Sequence, residues 1–144
     1  MKPALLDTNV LLALAWPSHQ HHAAAHNWFR SYARRGWASC AVTQLGFVRL
    51  SSNPSYTPDA VSPREAAELL SAILKHKGHK FWPSPAAAAP TLYASALGYQ
   101  QVNDAWLVAV ALRQRASLAT FDTRLPVHAR GSEVVILIPT EVAE

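Results

Sequence analysis

Residues 103–115 read NDAWLVAVALRQR, and the fold turns on how this stretch is placed. Trp106, Leu107, Val108, Val110 and Leu112 make a helix that is apolar on nearly every side, with Arg113, Gln114 and Arg115 as its wet end. Such a helix belongs in the middle of a fold. Its one carboxylate, Asp104, falls in the first turn, where free N–H groups and the helix dipole favour negative charge. By itself Asp104 reads as a cap.

On either side of this helix, short apolar runs alternate with amphipathic stretches. Residues 4–6 predict a buried strand ending at Asp7-Thr8-Asn9, a turn that opens a helix over residues 10–16. A second helix follows over residues 19–34, with Ala23, Ala24, Trp28, Phe29 and Tyr32 inward. Residues 37–41 predict a strand, and Thr43 caps a short helix over residues 44–51. Residues 53–63 carry three prolines and predict a loop. Ser62, Pro63 and Glu65 form a helix start of the capping-box type, ahead of Ala66, Leu69, Leu70, Ile73 and Leu74. Residues 80–82, 117–121 and 134–138 predict further strands, and residues 86–89 and 92–97 are Ala-rich and helical in part. Strands alternating with helices predict an α/β fold with a mainly parallel sheet.

The totals narrow the class. A chain of 144 residues fits one domain spanning residues 1–144, and a half-hydrophobic composition with five tryptophans argues against disorder. Cys40 is the only cysteine, so no disulfide forms within the chain, which fits a reducing cytoplasm. A formal charge of +4 and a pI of about 9.6 tilt towards a polyanionic partner. The apolar N-terminal run is interrupted by Asp7 and Asn9, and no run reaches the roughly 18–20 residues that span a bilayer. A soluble, untargeted, cytoplasmic chain with no membrane partner is expected.

Of four aspartates, Asp59 lies in the loose loop, but the other three sit at ends of apolar elements. Asp7 follows the first strand, Asp122 follows residues 117–121, and Asp104 starts the oily helix. In an open α/β sheet, ligands bind outside the carboxyl ends of the strands. Three carboxylates gathered there repel one another unless protons or cations neutralise them, and hard oxygen donors select Mg²⁺ or Mn²⁺. Two readings stand at this point: a metal site, or three separate caps and turns.

The motifs LLDTNVLLAL (5–14), TQLGFVRLSSNP (43–54), VNDAWLVAVAL (102–112), LATFDTRL (118–125) and VVILIP (134–139) together cover nearly the whole chain. In this order and spacing the chain resembles PIN-domain ribonucleases, and most of all the VapC toxins of bacterial toxin–antitoxin pairs. The resemblance implies a three-layer α/β/α sandwich around a parallel sheet. It implies a Mg²⁺- or Mn²⁺-dependent endoribonuclease, held inactive by a VapB-type antitoxin and usually a homodimer. Carried over by position, Asp7, Asp104 and Asp122 become the metal-binding and catalytic acids, supported by Thr8, Asn9 and Thr120. The family usually places a Glu early in the helix after the second strand, and Gln44 stands there instead. That departure keeps a second reading open: a catalytically weak PIN domain that binds RNA or its antitoxin.

RNA would need cations, and Arg49, Arg124 and Arg130 lie near the motifs. Other chemistry fits less well. His22 and His26 have zinc-pair spacing, but no Cys or acid close by completes a shell. Trp28, Phe29 and Tyr32 read as core or dimer packing rather than a nucleobase platform, and Trp82 and Tyr99 are either buried or stacking residues. There is no Gly-rich phosphate loop. An aspartyl-nucleophile loop fails because its second acid would be Asn9.

Overall fold

The computed structural model describes residues 2–94, 96, 98–125 and 133–141. Five short parallel strands form one sheet: β1 (Ala4–Leu6), β2 (Trp37–Ser39), β3 (His79–Phe81), β4 (Ser117–Thr120) and β5 (Val135–Leu137). Their order is β3-β2-β1-β4-β5, and every neighbouring pair is parallel. The order reverses at β1, so the crevice between β1 and β4 is the topological switch point of the sheet. Asp7 leaves β1 there, and Asp122 follows β4 on the adjacent strand.

Side chains alternate across the strands and split the core into two layers. Ala4, Leu6 and Ala119 face four helices: α1 (Thr8–Ala15), α2 (His22–Tyr32), α3 (Ala41–Ser51) and α4 (Pro63–Ile73). Leu5, Leu118 and Val135 face the opposite way, onto α5 (Val102–Arg113). The arrangement is a three-layer α/β/α sandwich.

Helix α5 corrects one expectation. It is not enclosed on all sides: Trp106, Leu107, Val110 and Ala111 are buried, whereas Leu112 is 54% and Val102 40% exposed. A helix lying on one sheet face buries one stripe, whatever its other faces carry. The cap is also displaced. Gln101 occupies the N-cap without a side-chain hydrogen bond, and Asp104 sits in the first turn.

Several boundaries move for local reasons. Asp7 is itself the N-cap of α1, accepting from Thr8 N at 2.8 Å, so the helix starts at Thr8. Helix α2 begins at His22, and its buried face uses Ala24, Ala25 and Tyr32, with Ala23 turned out to solvent. Cys40, not Thr43, is the N-cap of α3, and the Thr43 hydroxyl accepts from Cys40 N at 3.1 Å in the reciprocal half of the box. Ser62 caps α4 as expected, its Oγ accepting from Glu65 N at 3.1 Å. The Ala-rich region 86–101 contains two short 3-10 helices, Pro90–Tyr93 and Tyr99–Gln101. Trp28 stacks on Tyr32 and Phe29 meets Trp37 edge-on, so these rings serve packing. Cys40 is buried with a free thiol. No helix among the described residues is long and apolar enough to cross a membrane.

Two glycines do work that other residues cannot. Gly36 turns the chain into β2 with φ +90°, a left-handed conformation open to glycine. Gly46 lets α3 approach α1, because a Cβ there would lie 2.7 Å from Thr8 Oγ1 and 2.9 Å from Thr8 Cγ2. Gly46→Ala therefore overpacks the α1–α3 contact, and urea denaturation should show a loss of about 1–3 kcal/mol. An unchanged midpoint would mean that the two helices part at no cost.

Candidate active site

The site grows from the residues that end β1 and β4. Asp7 is 9% exposed and its carboxylate is gripped on both oxygens. Thr8 N donates to Oδ1 at 2.8 Å, and Thr120 Oγ1 donates to Oδ2 at 2.8 Å. The same Thr120 hydroxyl accepts from Asn9 Nδ2 at 3.3 Å and from Asp122 N at 3.0 Å. Asn9 Oδ1 accepts from Phe121 N at 3.3 Å, tying the start of α1 to the end of β4 a second time. Asp7 N also donates to Ala119 O at 2.9 Å. One buried hydroxyl thus joins Asp7, Asn9 and the backbone of Asp122.

Asp7, Asp104 and Asp122 line one cleft of about 410 Å³, together with Thr8, Asn9 and Arg49. Asp104 arrives from the first turn of α5, on the far side of the sheet from α1. Arg49 is exposed and comes from the last turn of α3. Tyr56 and Asn103 line the cleft too, and sequence reasoning missed both. Tyr56 lies in a loop that offered no periodicity to read. Asn103 precedes an acid that drew the attention.

The remaining expected residues divide between this cleft and other places. Gln44 lines a neighbouring groove between α3 and α4, and its Nε2 donates to Ser39 Oγ at 3.0 Å. Helical geometry explains this: Val42, Leu45 and Arg49 share the face towards the acids, and Gln44 is about 100° away from Leu45. Arg124 forks onto Asp122, with Nε 3.1 Å from Oδ1 and Nη2 3.3 Å from Oδ2. That pair joins an arginine side chain 80% exposed to a carboxylate 21% exposed. Arg130 lies outside the described residues. The His22 and His26 rings close the end of α1, with Nδ1 and Nε2 donating to Ala13 O and Leu14 O at 2.7 and 2.8 Å. Both rings are thereby committed to backbone carbonyls.

Burial pushes the Asp7 carboxyl from 3.8 up to about 6. Asp104 and Asp122 add to that rise, and the hydrogen bonds from Thr120 and Thr8 oppose it. A buried acid beside two others is the electrostatic condition that a cation relieves, and all the carboxylate, hydroxyl and amide donors are hard oxygens. Among the described residues, no group of three or more His, Cys, Asp or Glu side chains stands close enough together to hold a metal ion as it is placed here. The donor chemistry fits Mg²⁺ or Mn²⁺, with ligands that line an open cleft.

The raised pKa has a consequence for stability. A carboxyl protonated more readily in the folded state than in the unfolded one stabilises the fold fully below 3.8, and that contribution is lost as pH rises through about 6. In metal-free buffer, the stability of Asp7→Asn relative to the parent should therefore rise by roughly 3 kcal/mol between about pH 4 and pH 7. A pH-independent difference in urea denaturation would show that Asp7 is not desolvated.

Comparison with known proteins bears on the family and the fold. The PIN domain family matches residues 4–131. Ribonuclease VapC39 of Mycobacterium tuberculosis is 40% identical over 140 residues, covering 93% of this chain and 99% of that protein. Ribonuclease VapC38 of the same organism is 43% identical over 119 residues, covering 83% and 84%. Ribonuclease VapC29 is 37% identical over 136 residues, covering 94% and 96%. The solved structure of PAE2754 from Pyrobaculum aerophilum shares the fold, with a TM-score of 0.62 at 20% identity over 94% of this chain and 84% of that one. With its motifs, its sheet order and these relatives in agreement, the chain belongs to the PIN-domain family and, within it, to the VapC-type ribonucleases.

Proposed function

We propose that this protein is an endoribonuclease toxin that hydrolyses RNA phosphodiesters with Mg²⁺ or Mn²⁺ held by Asp7, Asp104 and Asp122. The observation that carries the reading is the arrival of three carboxylates from β1, α5 and β4 in one cleft at the switch point of the sheet. The relatives named as ribonucleases support the reaction class. We further propose a VapB-type antitoxin as regulator, a homodimer as the working assembly and the cytoplasm as the compartment.

A bound divalent ion supplies Lewis acidity towards the phosphate and a water of lowered pKa. The chain supplies the rest. Thr8 N and Thr120 Oγ1 hold Asp7 in one orientation, so its charge is aimed into the cleft. Asn9 keeps Thr120 in register by donating to its hydroxyl. Arg49 offers a guanidinium to a phosphate oxygen from the wall formed by α3. Arg124 holds Asp122 from the solvent side. The catalytically weak reading draws on Gln44, whose side chain lines the neighbouring groove between α3 and α4.

Cleavage of a folded RNA by antitoxin-free protein, with added Mg²⁺ or Mn²⁺ and with excess EDTA, tests the reading. Activity should vanish in EDTA. Thr120→Val should lower the rate about 10- to 100-fold by freeing Asp7, and Asp104→Asn should lower it further. Gln44→Glu should leave the rate unchanged. Full activity in EDTA sinks the metal assignment, and a marked gain from Gln44→Glu would return the weak-domain reading to the front.

A further inference from the structure

A second cavity, of about 240 Å³, opens beside the acid cleft. Leu12 and Trp16 come from the end of α1, His19 and Gln20 from the turn after it, and Tyr56 and Thr57 from the loop before α4. Leu12 and Tyr56 also line the acid cleft, so the two spaces adjoin. We propose that this cavity is a nucleobase pocket, which takes the base of one unpaired nucleotide next to the phosphate cleaved at Asp7, Asp104 and Asp122. The proposal rests on the nuclease reading above and deepens it from a reaction class to a means of choosing the site of cleavage.

The walls suit a base. Trp16 Nε1 donates to Ser51 Oγ at 2.9 Å, which fixes the indole and uses its only hydrogen-bond donor. The ring packs in part against the core and in part lines the cavity, where it offers apolar surface and no further donor. Tyr56 is 45% exposed and lines the cavity, so part of its ring is open to a ligand. Its loop is nonetheless held in shape. Tyr56 N donates to Asn53 O at 2.9 Å, Ser55 N to Asn53 Oδ1 at 2.9 Å, and Val61 N to Ser51 O at 3.0 Å. An aromatic ring on a braced loop is a stacking platform that needs little ordering when a base arrives.

Polar side chains line the cavity as well, Ser18, His19, Gln20 and Thr57 among them, beside the Ser51 that Trp16 engages. His19 Nδ1 accepts from His21 N at 3.0 Å, so the neutral ring carries its proton on Nε2 and presents a donor. Partial burial and the neighbouring His21 and His22 favour that neutral form. Gln20 is exposed and adds an amide with both a donor and an acceptor. A base in a duplex cannot enter such a space without leaving its stack, whereas a loop nucleotide can be splayed into it at small cost.

The test is a fluorescence titration of the full chain, in EDTA, with a short single-stranded RNA carrying one 2-aminopurine. Stacking should quench the probe on binding. Tyr56→Ala should weaken binding about ten-fold, Tyr56→Phe should leave it near the parent, and Asp104→Asn should still bind. A parallel digest of random-sequence RNA with added Mn²⁺ should show a one-base preference beside the cut that Gln20→Ala alters. If the parent leaves the probe unquenched, or if Tyr56→Ala binds and quenches like the parent, the pocket assignment is overturned. If the titration behaves as expected and no RNA is cut, the nuclease reading fails and the base pocket stands.

Discussion

The Thr120 hydroxyl is the contact on which the rest of the site depends. It donates to Asp7 Oδ2 and accepts from Asn9 Nδ2 and Asp122 N, so one atom joins the end of β1, the start of α1 and the end of β4. Thr120 is fully buried. A buried hydroxyl with its donor and both acceptor positions in use is a rigid junction, because breaking any one bond strands a polar group away from water. The sheet supplies the condition for this. Parallel pairing of β1 with β4 places Leu6 beside Ala119, which brings Asp7 level with Thr120.

Charge is segregated along the strand direction. Asp7, Asp104 and Asp122 line the cleft at the carboxyl edge of the sheet. At the opposite edge, Arg34, Arg35, Lys77 and Lys80 line a cavity of about 520 Å³. Arg34 and Arg35 follow the end of α2 and Lys77 the end of α4, where the partial negative charge of helix C-termini favours cations, and Lys80 lies in β3. Among the described residues, Arg124 pairs with Asp122, and Arg49 lines the same cleft as the acids.

Much of this was legible in the sequence, for identifiable reasons. Short β-branched and apolar runs broken by turn residues located the strands, and the Ser62-Pro63 start located α4 to the residue. Asp7, Asp104 and Asp122 stood out because acids at the ends of oily elements are poorly explained by solvation. Less legible were features in which a side chain serves a partner far away in sequence. Thr43 looked like a cap, but Cys40 occupies that position and Thr43 reaches back to it. Leu112 looked buried, but the sheet covers only one stripe of α5.

By itself the sequence determined the α/β class, the motif order and the chemical character of the site, because periodicity and residue type are local properties. Tertiary structure decided which way each side chain faces, and that depends on helix rotation and on which strands become neighbours. Gln44 and Arg49 share one helix, yet the first lines the groove towards α4 and the second the acid cleft, because five residues correspond to about 500° of helical rotation. Tyr56, in a loop without periodicity, reaches both cavities only because residues 53–61 fold back on α3. The sequence named the acids, and the parallel pairing of β1 and β4 brought two of them to the same edge, where α5 adds the third.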